Sequence, residues 1–152
     1  MSLEIVSLRG DDAVWCEELL RALPKWFGIE QAIFNYRKDI ETLDTYVVLD
    51  SGTRAGFITL KKHNPYSGEI IVIAVDKSRH RSGIGRKMVQ HAEALFRDAG
   101  VEYLQVKTLG PSRPDENYAA TRAFYESVGF RPLEETSLWG DVNPCLFFVK
   151  KL

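Results

Sequence analysis

The longest unbroken apolar run in the chain, Ile70 to Val75, is six residues of mainly β-branched side chains, as expected of a strand that meets no water on either face. It predicts a central strand. Downstream, Ile84, Met88, Ala92, Leu95, Phe96 and Ala99 recur three or four positions apart and predict a helix with one apolar face, ended by Gly100. Ile33, Tyr36, Ile40 and Leu43 line one face of an earlier helix, spanning about residues 29–43, and a further helix is expected over 11–23. Pro24-Lys25-Trp26-Phe27-Gly28 breaks the chain between the two. Shorter apolar runs at 4–8, 46–49, 55–60, 102–109, 132–136 and 146–150 read as strands. Asp50-Ser51-Gly52-Thr53 has the composition of a hairpin turn, residues 64–68 turn the chain into the central strand, and 119–128 form a short helix capped by Gly129. The order predicts one mixed α/β (α+β) domain over 1–152 with about four helices. Its sheet should be mostly antiparallel, with a right-handed strand-helix-strand unit from Ile70 to Leu109 supplying a central parallel pair.

Composition narrows the class. With 152 residues, 45% hydrophobic and 27% charged, the chain has the material for one packed core and is not disordered. A net charge of −1 argues against nucleic acid as a partner, since binding it needs a basic face that displaces counterions. No apolar run approaches membrane-spanning length and the N-terminus has no signal-like pattern, so a cytoplasmic protein with no membrane partner is expected. Cys16 and Cys145 form no CxxC pair and no framework of staples, which suits a reducing compartment and two small buried side chains. His63, His80 and His91 lack carboxylates at metal-ligand spacing, so no metal is expected, and His91 reads as a surface residue of its helix.

The chemistry concentrates between the central strand and the helix that follows it, at Arg79-His80-Arg81-Ser82-Gly83-Ile84-Gly85. There the first backbone N–H groups of a helix lack intrahelical partners and the helix dipole is positive, so main chain can hold a phosphate. Glycine lets the anion approach closely. The basic cluster Lys77, Arg79, His80, Arg81, Arg86 and Lys87 suits one phosphate-rich ligand. A Walker loop is excluded because Gly85 is followed by Arg86-Lys87-Met88, not by Lys and then Ser or Thr. A dinucleotide fingerprint would need a third glycine at position 88 and a shorter turn after the strand.

What remains is a polar residue, two variable residues, Gly, one variable residue and Gly, following a strand that ends in Val-Asp. This resembles motif A of the GCN5-related N-acetyltransferase (GNAT) superfamily, whose loop wraps the pyrophosphate of acetyl-CoA. A second segment, Phe124-Tyr125-Glu126-Ser127-Val128-Gly129-Phe130, is similar to the helix that precedes the last hairpin in the same superfamily. Order and separation also match, and the resemblance covers roughly residues 45–148. It implies a strongly twisted mixed sheet flanked by helices, acetyl-CoA as co-substrate, and an amine acceptor. It also implies coenzyme contacts from Ile73, Ala74 and Val75 and from the loop His80, Arg81, Ser82, Gly83, Ile84, Gly85 and Arg86. One departure is that the family's coenzyme-contacting Asn, seven residues before the tyrosine, is here Tyr118, with Asn117 one residue earlier. Another is His80, where Gln or Arg is frequent, which points to a contact through its backbone.

Acetyl transfer to an amine needs a neutral amine, donors for the oxyanion, and a proton for the departing thiolate. The resemblance assigns the last task to Tyr125, leaves its neighbour Phe124 as core, and places the oxyanion donors near Ile73 to Val75. It also makes Glu69 the base, at the start of the central strand. A carboxylate near pKa 4.3 is about six units below an alkylammonium near 10.4, so a raised carboxyl, a depressed amine or a relay must close that gap. The acceptor wall is expected from Trp26, Phe27, His63, Tyr66 and Asp115, aromatic and acidic groups suited to a cationic small-molecule amine. A protein N-terminus or lysine is the next acceptor class, and a non-catalytic acyl-CoA-binding module is the alternative of a different kind. The oligomeric state is expected to be monomer or homodimer.

Overall fold

Each predicted element forms in the computed structural model, which describes residues 2–152, with ends moved by a few positions. In order these are β1 (Leu3–Ser7), α1 (Asp12–Arg21), α2 (Glu30–Thr42), β2 (Asp44–Asp50), β3 (Thr53–Asn64), β4 (Ser67–Val75), α3 (Ile84–Asp98), β5 (Tyr103–Leu109), α4 (Glu116–Ser127), β6 (Arg131–Thr136) and β7 (Cys145–Lys151), with a 3-10 turn at Lys77–Arg79. The seven strands are ordered β1-β2-β3-β4-β5-β7-β6. Neighbours β1/β2, β2/β3, β5/β7 and β6/β7 are antiparallel. The parallel pair is β4/β5. The mixed α/β class and its four helices are therefore as expected.

Contacts divide the chain into two units, residues 1–61 with 70–92 and residues 62–69 with 93–152. In the first, Cys16, Leu20, Ile40, Val47 and Phe57 are fully buried, packed with Leu19, Leu23, Val72 and Ala74. Ile33 and Ile40 are buried on α2, whereas Phe34 and Ile29 are exposed, in keeping with the one-faced spacing. The β2–β3 turn is Ser51-Gly52, both at positive φ (51° and 86°), the geometry that matches hairpin twist. Gly56 is required by close approach: an added Cβ would lie 2.8 Å from Ala74 O and 3.3 Å from Met88 Cε.

In the second unit Tyr125, Val128, Phe130, Leu104, Val106, Cys145, Leu146 and Phe148 are buried. Helix α3 keeps its expected apolar face at Ile84, Met88, Ala92 and Phe96, but Leu95 is half-buried and Ala99 exposed. Gly100, φ 80°, reverses the chain there, with Val101 N donating to Phe96 O at 2.9 Å. The largest boundary differences are in β3 and β4. Both extend toward a two-residue turn at Pro65-Tyr66, where Asn64 Oδ1 accepts from Tyr66 N (2.8 Å) and Ser67 N (3.0 Å). That side chain closes the turn.

Candidate active site

The loop from Asp76 to Gly85 is held by its own side chains. Arg79 reaches Asp50 (3.4 Å) and Asp76 (3.3 Å), Ser82 Oγ donates to Arg79 O, and Ser78 Oγ donates to Asp76 Oδ2 at 2.5 Å. His80 Nε2 donates to Val75 O at 2.8 Å, and its ring stands edge-on to Trp26 with centroids 5.9 Å apart. The His80 side chain is thus bonded to the end of β4 and packed on Trp26. Arg81 (φ 64°) and Gly83 (φ 85°) take left-handed conformations. Such turns point successive N–H groups into one concavity, the geometry of an anion nest, immediately before α3 begins at Ile84. Lys77, Arg81, Arg86 and Lys87 are exposed around it, while Ile84 is buried and anchors the helix start. Of β4, Ala74 is buried and Ile73 and Val75 are half-buried.

Glu69 is the second group of interest. It is the third residue of β4, 4% exposed and far from an ordinary surface carboxylate. Lys107 Nζ, from β5, donates to Oε1 (3.0 Å) and Oε2 (2.8 Å), and His63 Nε2, from β3, lies 2.7 Å from Oε1. Lys107 also stands over the Phe147 ring at 5.3 Å. Lys107 is a site residue that sequence reasoning missed. Its signal was a lysine inside the 102–109 strand, between Val106 and Thr108, where a charge drawn into the sheet needs a partner.

Tyr125 is 5% exposed. Its ring packs against Phe124 (5.5 Å), Phe130 (5.7 Å) and Phe148 (5.9 Å), and Phe130 N donates to its carbonyl at 3.0 Å. The pair is therefore reversed from expectation: Tyr125 is the core member and Phe124 is half-buried, because Gly129 turns Phe130 back under the helix. Lys150, which donates to Val128 O (2.7 Å) and pairs with Glu93, ties the same turn to β7.

The expected acceptor residues fall on three segments of the chain. Trp26 and Phe27 lie in the break between α1 and α2, Phe27 edge-on to Tyr36 at 5.9 Å. His63 and Tyr66 share the β3–β4 hairpin, Tyr66 being 60% exposed. Asp115 is the N-cap of α4, its Oδ1 accepting from Asn117 N (2.9 Å) and Tyr118 N (3.1 Å). Asn117 and Tyr118 both lie half-buried in the first turn of α4. His91 is half-buried and not a surface group: it stands edge-on to Tyr46 (4.8 Å), and burial pushes its pKa below the ordinary 6.5. An open depression of about 790 Å³, lined by Asp11, Asp12, Trp15 and Arg54 among others, contains none of the expected site residues. Among the described residues there is no metal-binding cluster and no helix long and apolar enough to cross a membrane.

Fold and loop together define a mixed α/β protein whose glycine-containing loop leads from the central strand into a helix start. The family described as "Acetyltransferase (GNAT) domain" matches residues 41–132, more than half of the chain, and the protein belongs to that family. A GNAT-family protein from Desulfovibrio desulfuricans superposes with TM-score 0.84 at 16% identity, covering 99% of both chains. A GNAT-family acetyltransferase from Elizabethkingia anophelis, solved with acetyl-CoA bound, gives TM-score 0.76 at 15% identity over 99% of this chain and 98% of that one. The ribosomal-protein-S18-alanine N-acetyltransferase of Escherichia coli gives 0.76 at 18% identity over 99% and 94%. No curated protein matches the chain.

Proposed function

We propose that this protein is a cytoplasmic, single-domain N-acetyltransferase that moves the acetyl group of acetyl-CoA to a primary amine of a small molecule by direct attack in a ternary complex. The observation that carries the reading is the nest at Arg81 and Gly83 opening into the start of α3, ringed by exposed basic side chains. It fits a pyrophosphate: main chain supplies N–H donors, the helix dipole adds positive potential, and Lys77, Arg81, Arg86 and Lys87 add charge. The backbone of Ile73 to Val75 is assigned the thioester carbonyl, and Asn117 or Tyr118 a further coenzyme contact. The amine nitrogen attacks the thioester carbon, the C–S bond breaks, and the thiolate takes a proton from Tyr125. Its phenol has a reference pKa of about 10 against about 8.5 for a thiol, so that proton moves as the bond cleaves. The amine's proton leaves on the Glu69 side of the site, to that carboxylate or through a relay it holds.

A protein amine is the second acceptor reading, favoured by the likeness in fold to the E. coli enzyme named above. Thermal unfolding tests the coenzyme assignment. Acetyl-CoA at a hundred times its Kd adds about 2.7 kcal/mol to stability, whereas ATP and NAD should add little. Gly83→Val, strained at φ 85°, should lose the acetyl-CoA shift. A larger shift with ATP or NAD would contradict the reading.

A further inference from the structure

Glu69 cannot meet an acceptor directly in this geometry. Its side chain is 5% exposed, Lys107 occupies both carboxylate oxygens, and His63 covers Oε1. His63, by contrast, has a side chain 30% exposed and a second ring nitrogen not used in that contact. Granting the acetyl transfer proposed above, we infer that His63 is the base that takes the acceptor amine's proton, with Glu69 as the residue that positions it and Lys107 as the clamp on Glu69. Glu69 accepts from His63 Nε2–H, which fixes the tautomer and leaves the Nδ1 lone pair for the amine. The proton passes from the ammonium nitrogen to Nδ1 and from the imidazolium's exposed edge to solvent, the freed nitrogen forms the C–N bond, and the second proton that nitrogen sheds as the C–S bond breaks makes good the one Tyr125 gives to the thiolate. Glu69 then stabilises the transient imidazolium. An imidazole has a reference pKa of about 6.5, so the mismatch with an alkylammonium falls from about six units to about four, roughly a hundredfold in proton-transfer equilibrium.

The groups around His63 are few. Glu69 comes from β4, Lys107 from β5 and Cys145 from β7; the Cys145 thiol is pushed up mainly by burial and feels both Lys107 and Glu69. Lys61 and Lys62 precede it on β3 and are exposed. Wild type, His63→Gln, His63→Ala and Glu69→Gln are compared by kcat/KM against pH with the best amine of a panel, alongside the acetyl-CoA thermal shift. His63→Gln should keep the thermal shift, lose about 10²-fold or more in kcat/KM, and lose the limb that rises with pH. Added imidazole should restore part of the activity of His63→Ala. Glu69→Gln should keep the acetyl-CoA thermal shift and lower kcat more than it raises KM, since the ring loses the carboxylate that holds it. Unchanged kcat/KM and profile in His63→Gln overturn the base assignment alone, as does a pH-independent loss that imidazole does not rescue. A wild type that binds acetyl-CoA yet acetylates no small-molecule or peptide amine overturns the transferase reading and the base with it.

Discussion

Replacing Lys107 by Met keeps the length of the side chain but leaves the buried Glu69 with His63 as its sole partner among the contacts described above. Two unit charges at the 2.8 Å of the Lys107–Glu69 contact attract by about 1.5 kcal/mol in water and ~6 kcal/mol at an effective dielectric of 20. Glu69, 5% exposed, pulls the estimate toward the upper figure, and Lys107, 24% exposed, toward the lower. A loss of about 3 kcal/mol is expected, consistent with stripping one partner from a buried pair. For a chain of this length that lowers Tm by roughly 6–12 °C. Glu69→Gln should cost less, about 1–2 kcal/mol, because the quarter-exposed ammonium can turn toward water. The double variant should be less damaged than the sum of the two, with a coupling of about 2 kcal/mol. Urea unfolding of the four proteins at pH 7 measures the cycle. Additivity within about 0.5 kcal/mol would mean that the two charges do not depend on each other, and the reasoning would fail.

Other consequences can be checked by the same means. Burial, with Asp12 adding, pushes the Cys16 thiol from its ordinary 9.0 up to about 12. A raised folded value means the contribution is full below pH 9 and fades as pH climbs toward 12, because the unfolded chain ionises first. Wild type should lose stability faster than Cys16→Ala over that window, by about 1.4 kcal/mol per pH unit, and parallel curves would contradict it. Asp115→Ala removes the α4 cap and should cost about 1 kcal/mol, while Asp115→Asn should cost little; equal losses in urea would show that the cap bond is unimportant. Phe130→Ala, at a position 0% exposed and edge-on to Tyr125, should cost about 3–5 kcal/mol.

The elements were legible because their periods were clean, although the Ile70–Val75 strand buries Ile70, Val72 and Ala74 on one face and leaves Ile71, Ile73 and Val75 half-buried on the other, where two buried faces were expected. The loop was legible as a turn because Gly83 stands at a fixed offset from the strand end and takes a left-handed φ of 85° that glycine permits. Glu69 was singled out through the resemblance, but its partners were not, because His63 is brought to it by the hairpin at Pro65-Tyr66 and Lys107 by the pairing of β5 with β4 after the crossover through α3. Asp115 shows the converse. An acidic residue ahead of a helix reads equally as a substrate contact or a cap, and the backbone donors of Asn117 and Tyr118 show that Asp115 is at least the cap. Phe124 and Tyr125 were exchanged for a similar reason: adjacent aromatics on a helix point about 100° apart, and the turn at Gly129 determines which of them is covered.

The most direct test of the central claim is thiol release from acetyl-CoA across a panel of small-molecule and peptide amines, with the acetylated product identified by mass, in wild type and Tyr125→Phe. Amine-dependent release in wild type that falls at least tenfold in Tyr125→Phe, with acetyl-CoA binding retained, is the predicted result. Release that no amine stimulates, from a protein that still binds acetyl-CoA, would contradict acetyl transfer to an amine and leave a coenzyme-binding module.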